Sequence, residues 1–161
     1  MTITTVMTIP NLPSSVAAGD IITVDWGNAV VNNIKHLYTD FRIIKMYQGQ
    51  VCSTNTDYDL IEDSDVLLSA GEILSEFPSL QAKVIFWGRL PSGTTGKLQL
   101  VARGTSDVVL SEVEITTTDF ALYQSAYADV PEDTHSLILR LGATDGQVCI
   151  TNPCLVLKTF R

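Results

Sequence analysis

The stretch Ala82–Ile115, AKVIFWGRLPSGTTGKLQLVARGTSDVVLSEVEI, decides the fold. Three runs rich in Val, Ile, Leu and aromatics, AKVIFWGRL, KLQLVARG and DVVLSEVEI, are separated by PSGTTG and GTS. Branched and aromatic side chains suit a pleated, half-buried surface, while Gly, Ser and Thr suit the turns between such surfaces. In the second run Leu98, Leu100 and Ala102 alternate with Lys97, Gln99 and Arg103. That is the period of a strand with one face in a core and one in water.

The pattern continues toward the C-terminus. DFALYQSAYADV, HSLILRLGA, QVCI and CLVLKTF are strand-length runs, divided by TTT, PEDT, TDG and TNP. Leu137, Leu139 and Leu141 alternate with Ile138 and Arg140. Asp145-Gly146 fits a tight primed hairpin turn and PSGTTG a longer hairpin loop. Evenly spaced strands with no helices between them predict a mainly β chain folded as an antiparallel, jelly-roll-like β-sandwich. Upstream, RIIKMYQ and QVCSTN read as a short extended pair around Gly49, and GEILSEFPSL fits either a helical turn or a strand before Pro78.

The N-terminal quarter reads differently. In GDIITVDWGNAVVNNIKHLYTDF, residues 19–41, apolar Trp26, Val30, Ile34, Leu37 and Phe41 recur at helical spacing and share one face. Asp25 or Thr23 is positioned to cap the first turn. Gly27, the valines, asparagines and threonines are each about 0.5–1 kcal/mol poorer than Ala in a helix. A helix this short and this weak needs packing from elsewhere. The spacing of Val30, Ile34, Leu37 and Phe41 matches the d, a, d, a positions of a short coiled coil, so the stripe suits its own sandwich, its symmetry mates or another protein. Before it, Pro10 and Pro13 block helix, and residues 1–20 predict an extended arm whose Ile3, Val6 and Ile9 can dock on a neighbour. The expected division is 1–41, arm and helix, and 42–161, sandwich.

Composition narrows the function classes. At 161 residues with 45% apolar side chains the chain supports one well-buried domain. It contains no apolar run of about 18 residues, so no membrane span is expected. The first twenty residues lack a basic n-region, so no secretory leader is expected either. A net charge of −8 opposes binding to phosphate backbones, which excludes nucleic acid as the expected partner. Cys52, Cys149 and Cys154 are too few for a disulfide framework and are expected as reduced core fillers, although Cys149 and Cys154 are close within CITNPC. His36 and His135 lack the context of a zinc site.

Catalytic patterns fail one by one. The sequence contains no Gly-x-Ser-x-Gly elbow, no His-Glu-x-x-His helix and no Ser-x-x-Lys pair, and in PSGTTGKL, Pro91 stands where a phosphate loop needs Gly. No enzyme activity and no cofactor are expected. Seven carboxylates and no Lys or Arg occur between Met46 and Gln81. Asp57, Asp59 and Asp63 are the candidate calcium ligands there, but the run lacks the Gly and terminal Glu of an EF-hand loop, and a solvated loop is the expected role. Trp87, Tyr123 and Tyr127 are candidate glycan contacts, because flat aromatic rings stack on sugars. Period 2 puts Tyr123 and Tyr127 on one face.

Residues 19–37, GDIITVDWGNAVVNNIKHL, resemble a segment near the start of small tailed-bacteriophage structural proteins, in which Gly-Asp and a threonine lead into a Trp-Asn helix. The matching residues are Gly19, Asp20, Thr23, Trp26, Asn28, Val31, Asn33 and Leu37, with Gly27 inserted where the pattern keeps Trp and Asn adjacent. The resemblance implies a virion protein made in the host cytoplasm, an arm and helix for attachment, and a sandwich that follows. It further implies a capsid decoration (cement) protein that forms homo-oligomers, expected to be trimers, and docks on major capsid or tail proteins. A tail-fibre or tail-tip subunit, or a sandwich binding a host glycan, are the alternatives.

Overall fold

The computed structural model describes residues 40–160, without the side chains of Asp40, Phe41 and Phe160. The arm with Ile3, Val6 and Ile9, and the stripe residues Trp26, Val30, Ile34 and Leu37, lie outside the described residues. Phe41 does not end a helix. It belongs to strand β1 (Asp40–Lys45), where the helical spacing has already given way to ladder pairing opposite Lys158.

The described residues form the expected mainly β, jelly-roll-like sandwich of two antiparallel sheets. The first contains β1, β2 (Gln50–Ser53), β5 (Ser79–Ser92), β8 (Ala121–Gln124), β9 (Ala128–Asp129) and β11 (Gln147–Phe160), in the order β1-β11-β5-β8, with β2 beside β11 and β9 beside β5. The second contains β3 (Asp59–Leu60), β4 (Val66–Leu67), β6 (Gly96–Arg103), β7 (Asp107–Ile115) and β10 (Ser136–Ala143), in the order β3-β10-β6-β7, with β4 beside β10. The stretch GEILSE resolves as one short helix, α1 (Ala70–Glu76), ended by Phe77 and Pro78.

Alternation builds the core. In β5, Leu80, Ala82, Val84, Phe86 and Leu90 are buried against Leu98, Leu100, Leu137, Leu139 and Leu141 of the second sheet and Ile150, Leu155 and Leu157 of the first. Each fully buried aliphatic or aromatic side chain contributes about 1.5–3 kcal/mol. Gly88 lets the core close tightly, since a Cβ there would lie 3.0 Å from the Phe86 ring and 3.3 Å from Ile115, and both would have to give by a few tenths of an ångström.

Four expected connections are corrected. PSGTTG and Asp145-Gly146 are not hairpins, because β5 and β11 lie in one sheet while β6 and β10 lie in the other. Both loops cross the sandwich at the same end and hold each other, with Asp145 Oδ1 accepting from the Thr94 amide at 2.7 Å and its hydroxyl at 2.8 Å. TNP does not separate two strands either. QVCI and CLVLKTF are one strand, β11, with a bulge between Thr151 and Cys154 and Asn152 at φ +50. Finally, β1 and β2 do not pair around Gly49. Both pair with β11, on either side of that bulge, and the Gly49 carbonyl accepts from the Asn152 amide at 3.1 Å and the Thr151 hydroxyl at 2.9 Å. The true hairpin is β6–β7 across residues 104–106.

The cysteines are also corrected. Cys52 and Cys149 face each other across β2 and β11, with Cα atoms 4.1 Å apart, and form a disulfide. Cys149 cannot reach Cys154, because they sit opposite Arg89 and Ile85, whose four-residue separation along β5 spans about 13 Å. Cys154 is a half-buried free thiol.

Candidate functional site: the outer face of the first sheet

Residues directly opposite one another in an antiparallel ladder point to the same side. The ladder therefore builds the outer face of the first sheet row by row. One row is Ile43, Val156 and Lys83; the next is Lys45, Cys154, Ile85 and Gln124; the next is Gln50, Thr151, Trp87 and Leu122; the last is Cys52, Cys149 and Arg89. Trp87 is 47% exposed, Leu122 60% and Ile43 74%, which makes this a broad apolar surface open to water. Phe120, just before β8, lies beneath Arg89, whose Cζ is 4.7 Å from the ring centre. Tyr127 meets two ammonium groups, Lys83 at 4.8 Å and Lys158 at 5.3 Å from its ring centre. These rows carry Lys45, Lys83 and Arg89, and the ladder continues on the same side through Lys158, Gln81 and Asp129, whose carboxylate accepts from the Gln81 side chain at 2.9 Å.

The expected glycan contacts divide. Trp87 and Tyr127 do lie on this outer side. Tyr123 does not: it points inward, stacks on Phe86 with ring centres 5.6 Å apart, and meets the Thr116 and Thr117 amides through its hydroxyl at 3.3 Å. Period 2 fails between them because the strand breaks at Ser125. Its amide donates to the Val84 carbonyl at 3.0 Å, and its hydroxyl accepts from the Val84 amide at 3.1 Å. One residue thus takes both ladder bonds and the chain restarts as β9 with its faces reset.

The outer face of the second sheet is finished differently. Glu112 accepts from Lys97 at 2.7 Å, Tyr58 at 2.7 Å and Gln99 at 2.8 Å. Those three donors hold its carboxyl down at about 2, while burial and the bond to Glu112 push the Tyr58 phenol up to about 12. Asp107 takes Arg140 and Arg103 together. The register carries the Arg140 side chain diagonally over Val101 toward Asp107, and Val101 and Ile138 are fully buried although they face outward. Charges there are spent on one another, while Leu60, Leu67 and Val109 stand exposed on the same face.

Of the candidate calcium ligands, Asp59 is held by Ser53 at 2.7 Å and Asn55 at 2.9 Å, which lower its pKa. The Asp57 amide donates to Asn55. Among the described residues no group of three or more Asp, Glu, His or Cys is placed to hold a metal ion. No helix of the described residues is long and apolar enough to cross a membrane. Sequence reasoning missed Ile43, Phe120, Leu122 and Arg89, since their shared face depends on strand order.

No protein-family model matches the chain, and no curated protein matches it in sequence. Solved structures similar to it include a protein of Bacillus endospore appendages, disulfide-linked pili (9% identity, 76% of this chain and 88% of that chain, TM-score 0.35). The infectious bursal disease virus VP2 subviral particle is another (11% identity, 76% of this chain and 33% of that chain, TM-score 0.47). A third is a family 16 carbohydrate binding module (11% identity, 75% of this chain and 83% of that chain, TM-score 0.39). This chain spans about a third of the viral chain. The likeness in each case is to the layout of a β-sandwich.

Proposed function

We propose that the chain is a non-enzymatic structural subunit of a bacteriophage particle, a capsid decoration protein that associates with itself and docks on the shell. The observation that carries the reading is the outer face of the first sheet, where Trp87 and Leu122 are directly paired across β5 and β8 and stand exposed with Ile43. Isolated apolar side chains are normal on a surface, but a contiguous apolar sheet face marks a contact. The resemblance of residues 19–37 to phage structural proteins supplies the particle. Labelling the protein and imaging particles tests it: label over the shell supports decoration, label on the tail moves the subunit to a fibre or tip, and unlabelled particles remove the reading.

A second reading, a glycan-binding sandwich, is favoured by the exposed Trp87 ring alone. Two ammonium groups lie over the Tyr127 ring and Tyr123 is turned inward, so a sugar chain would have one platform. Glycan-array binding lost in a folded Trp87→Ala protein supports this reading.

A further inference from the structure

We infer that Trp87, Arg89, Phe120 and Leu122 form a binding site for an acidic sugar unit, with the sugar ring stacked on Trp87 and its carboxylate held by Arg89. This rests on the glycan-binding reading above and deepens it by naming the class of sugar.

The ladder makes the four residues one cluster. Trp87 and Arg89 are two apart in β5 and share the outer side, about 7 Å from each other along the strand. Leu122 is directly opposite Trp87. Ala121 is opposite Gly88, so the next step along the chain brings Phe120 beside Arg89. The guanidinium lies over the Phe120 ring, with Cζ 4.7 Å from the ring centre. Trp87, Leu122 and Phe120 are all exposed, which makes the cluster a flat platform open to water.

Arg89 is left available to a ligand. Arg103 and Arg140 meet Asp107, Lys97 meets Glu112, and Lys83 donates to Gln124 at 3.1 Å. Among the described residues Arg89 makes no ion pair, and its Nε is buried without a hydrogen-bond partner. Asp119 precedes Phe120 but forms no ion pair with it; the Asp119 carbonyl accepts from the Thr117 hydroxyl at 2.9 Å. Asp129, the carboxylate on this side of the sheet, is opposite Gln81, eight residues and about 26 Å along β5 from Arg89. A guanidinium resting on an aromatic ring is already oriented, and its planar fork matches a carboxylate through two parallel hydrogen bonds.

The platform selects among anions. Backbone groups of a sheet point within its plane toward neighbouring strands, so a peptide laid on this face gains no ladder bonds; extended peptides add at sheet edges instead. A phosphate backbone meets a chain of net charge −8. A pyranose has an apolar C–H face for Trp87 and a rim of hydroxyls that stays in water. Tyr123 is turned inward, so the face offers one stacking ring, which suits a single sugar unit. A carboxylate at the edge of that unit lies in the stacking plane and extends along the strand to Arg89.

The test titrates the full chain with the methyl glycosides of glucuronic, galacturonic and N-acetylneuraminic acids, each beside its methyl ester. The readout is the Trp87 indole N–H signal, told from that of Trp26 by its loss in Trp87→Ala. At least one acid should shift it and bind about tenfold tighter than its ester, the factor a hydrogen-bonded charge supplies. Arg89→Gln should weaken that acid to the level of the ester and leave the ester unchanged. If Arg89→Gln does not fold, the comparison of acid with ester on the unmodified protein decides. Acid and ester that shift the indole with equal affinity overturn the inference and leave the glycan reading standing. An acid preference that survives in folded Arg89→Gln overturns it too, as does a poly-glutamate peptide that binds as tightly as the acids at equal carboxylate concentration. No shift with any glycoside removes the inference and the glycan reading together.

Discussion

Cys52 of β2 and Cys149 of β11 are directly opposed in the ladder, and their disulfide ties residues 97 apart in sequence. In the chain-entropy account, closing a loop of that length is worth roughly 4–5 kcal/mol, mostly by restricting the unfolded chain. Reduction should therefore lower the thermal midpoint by several degrees, and the Cys52→Ser/Cys149→Ser protein should match the reduced protein. Equal midpoints with and without reductant, in protein whose mass shows the bond present, would contradict this.

Glu112 gives the fold a defined acid response. Its carboxyl is lowered from the ordinary 4.5 to about 2 by the bonds from Lys97, Tyr58 and Gln99. A depressed folded pKa adds stability that is complete above the unfolded value and is lost as pH falls through the folded one. The window is thus about pH 4.5 down to 2. The side chain is 36% exposed, and solvent screening cuts the contribution to about 1 kcal/mol. Urea midpoints of the unmodified protein should fall across that window relative to Glu112→Gln. Tyr58 works in the opposite direction, since its phenol rises from 10.0 to about 12. Its contribution is complete below pH 10 and is lost between pH 10 and 12, so Tyr58→Phe should flatten that limb.

Most strands were legible because alternation survives wherever one face meets the core and the other meets water. Leu98, Leu100 and Ala102 behave as their spacing predicts, all buried, opposite Lys97, Gln99 and Arg103. Sheet membership was not legible. Asp145-Gly146 satisfies the local chemistry of a hairpin turn equally well when it crosses between sheets, and Gly146 at φ +73 serves either use. The disulfide was missed because two isolated cysteines 97 residues apart acquire meaning only from the β2–β11 register. For the same reason the candidate face could not be assembled from sequence: Trp87 and Leu122 become neighbours only once β5 pairs with β8.

Gly96 of β6 and Val148 of β11 meet where the two sheets close. A Cβ at 96 would be 2.3 Å from Val148 Cγ2 and 2.5 Å from its Cβ. Gly96→Ala overpacks this contact and should cost about 1–3 kcal/mol. Val148→Ala removes methyl groups and costs stability by itself. In the double variant the new methyl fills space that the valine vacated, so the double loss should be smaller than the sum of the single losses. Denaturant melts of the four proteins measure the coupling, and strict additivity would mean that the sheets part rather than clash.

At Ser125 the β5 ladder is completed by a side chain. It is 7% exposed, its hydroxyl accepts the Val84 amide at 3.1 Å, and it donates to the Ala126 carbonyl at 3.0 Å. Ser125→Ala leaves the Val84 amide, in the middle of a buried strand, without an acceptor. An unpaired buried donor costs about 1–3 kcal/mol, more than the net worth of a typical hydrogen bond, because its lost water is not replaced. The variant should lose that much in chemical denaturation, and hydrogen exchange at Val84 should accelerate more than at its neighbours in β5. Ser125→Thr keeps the hydroxyl and should retain the protection at Val84. If Ser125→Ala exchanges Val84 at the unmodified rate, the break after β8 is held by its own amide bond to the Val84 carbonyl, and the hydroxyl is incidental.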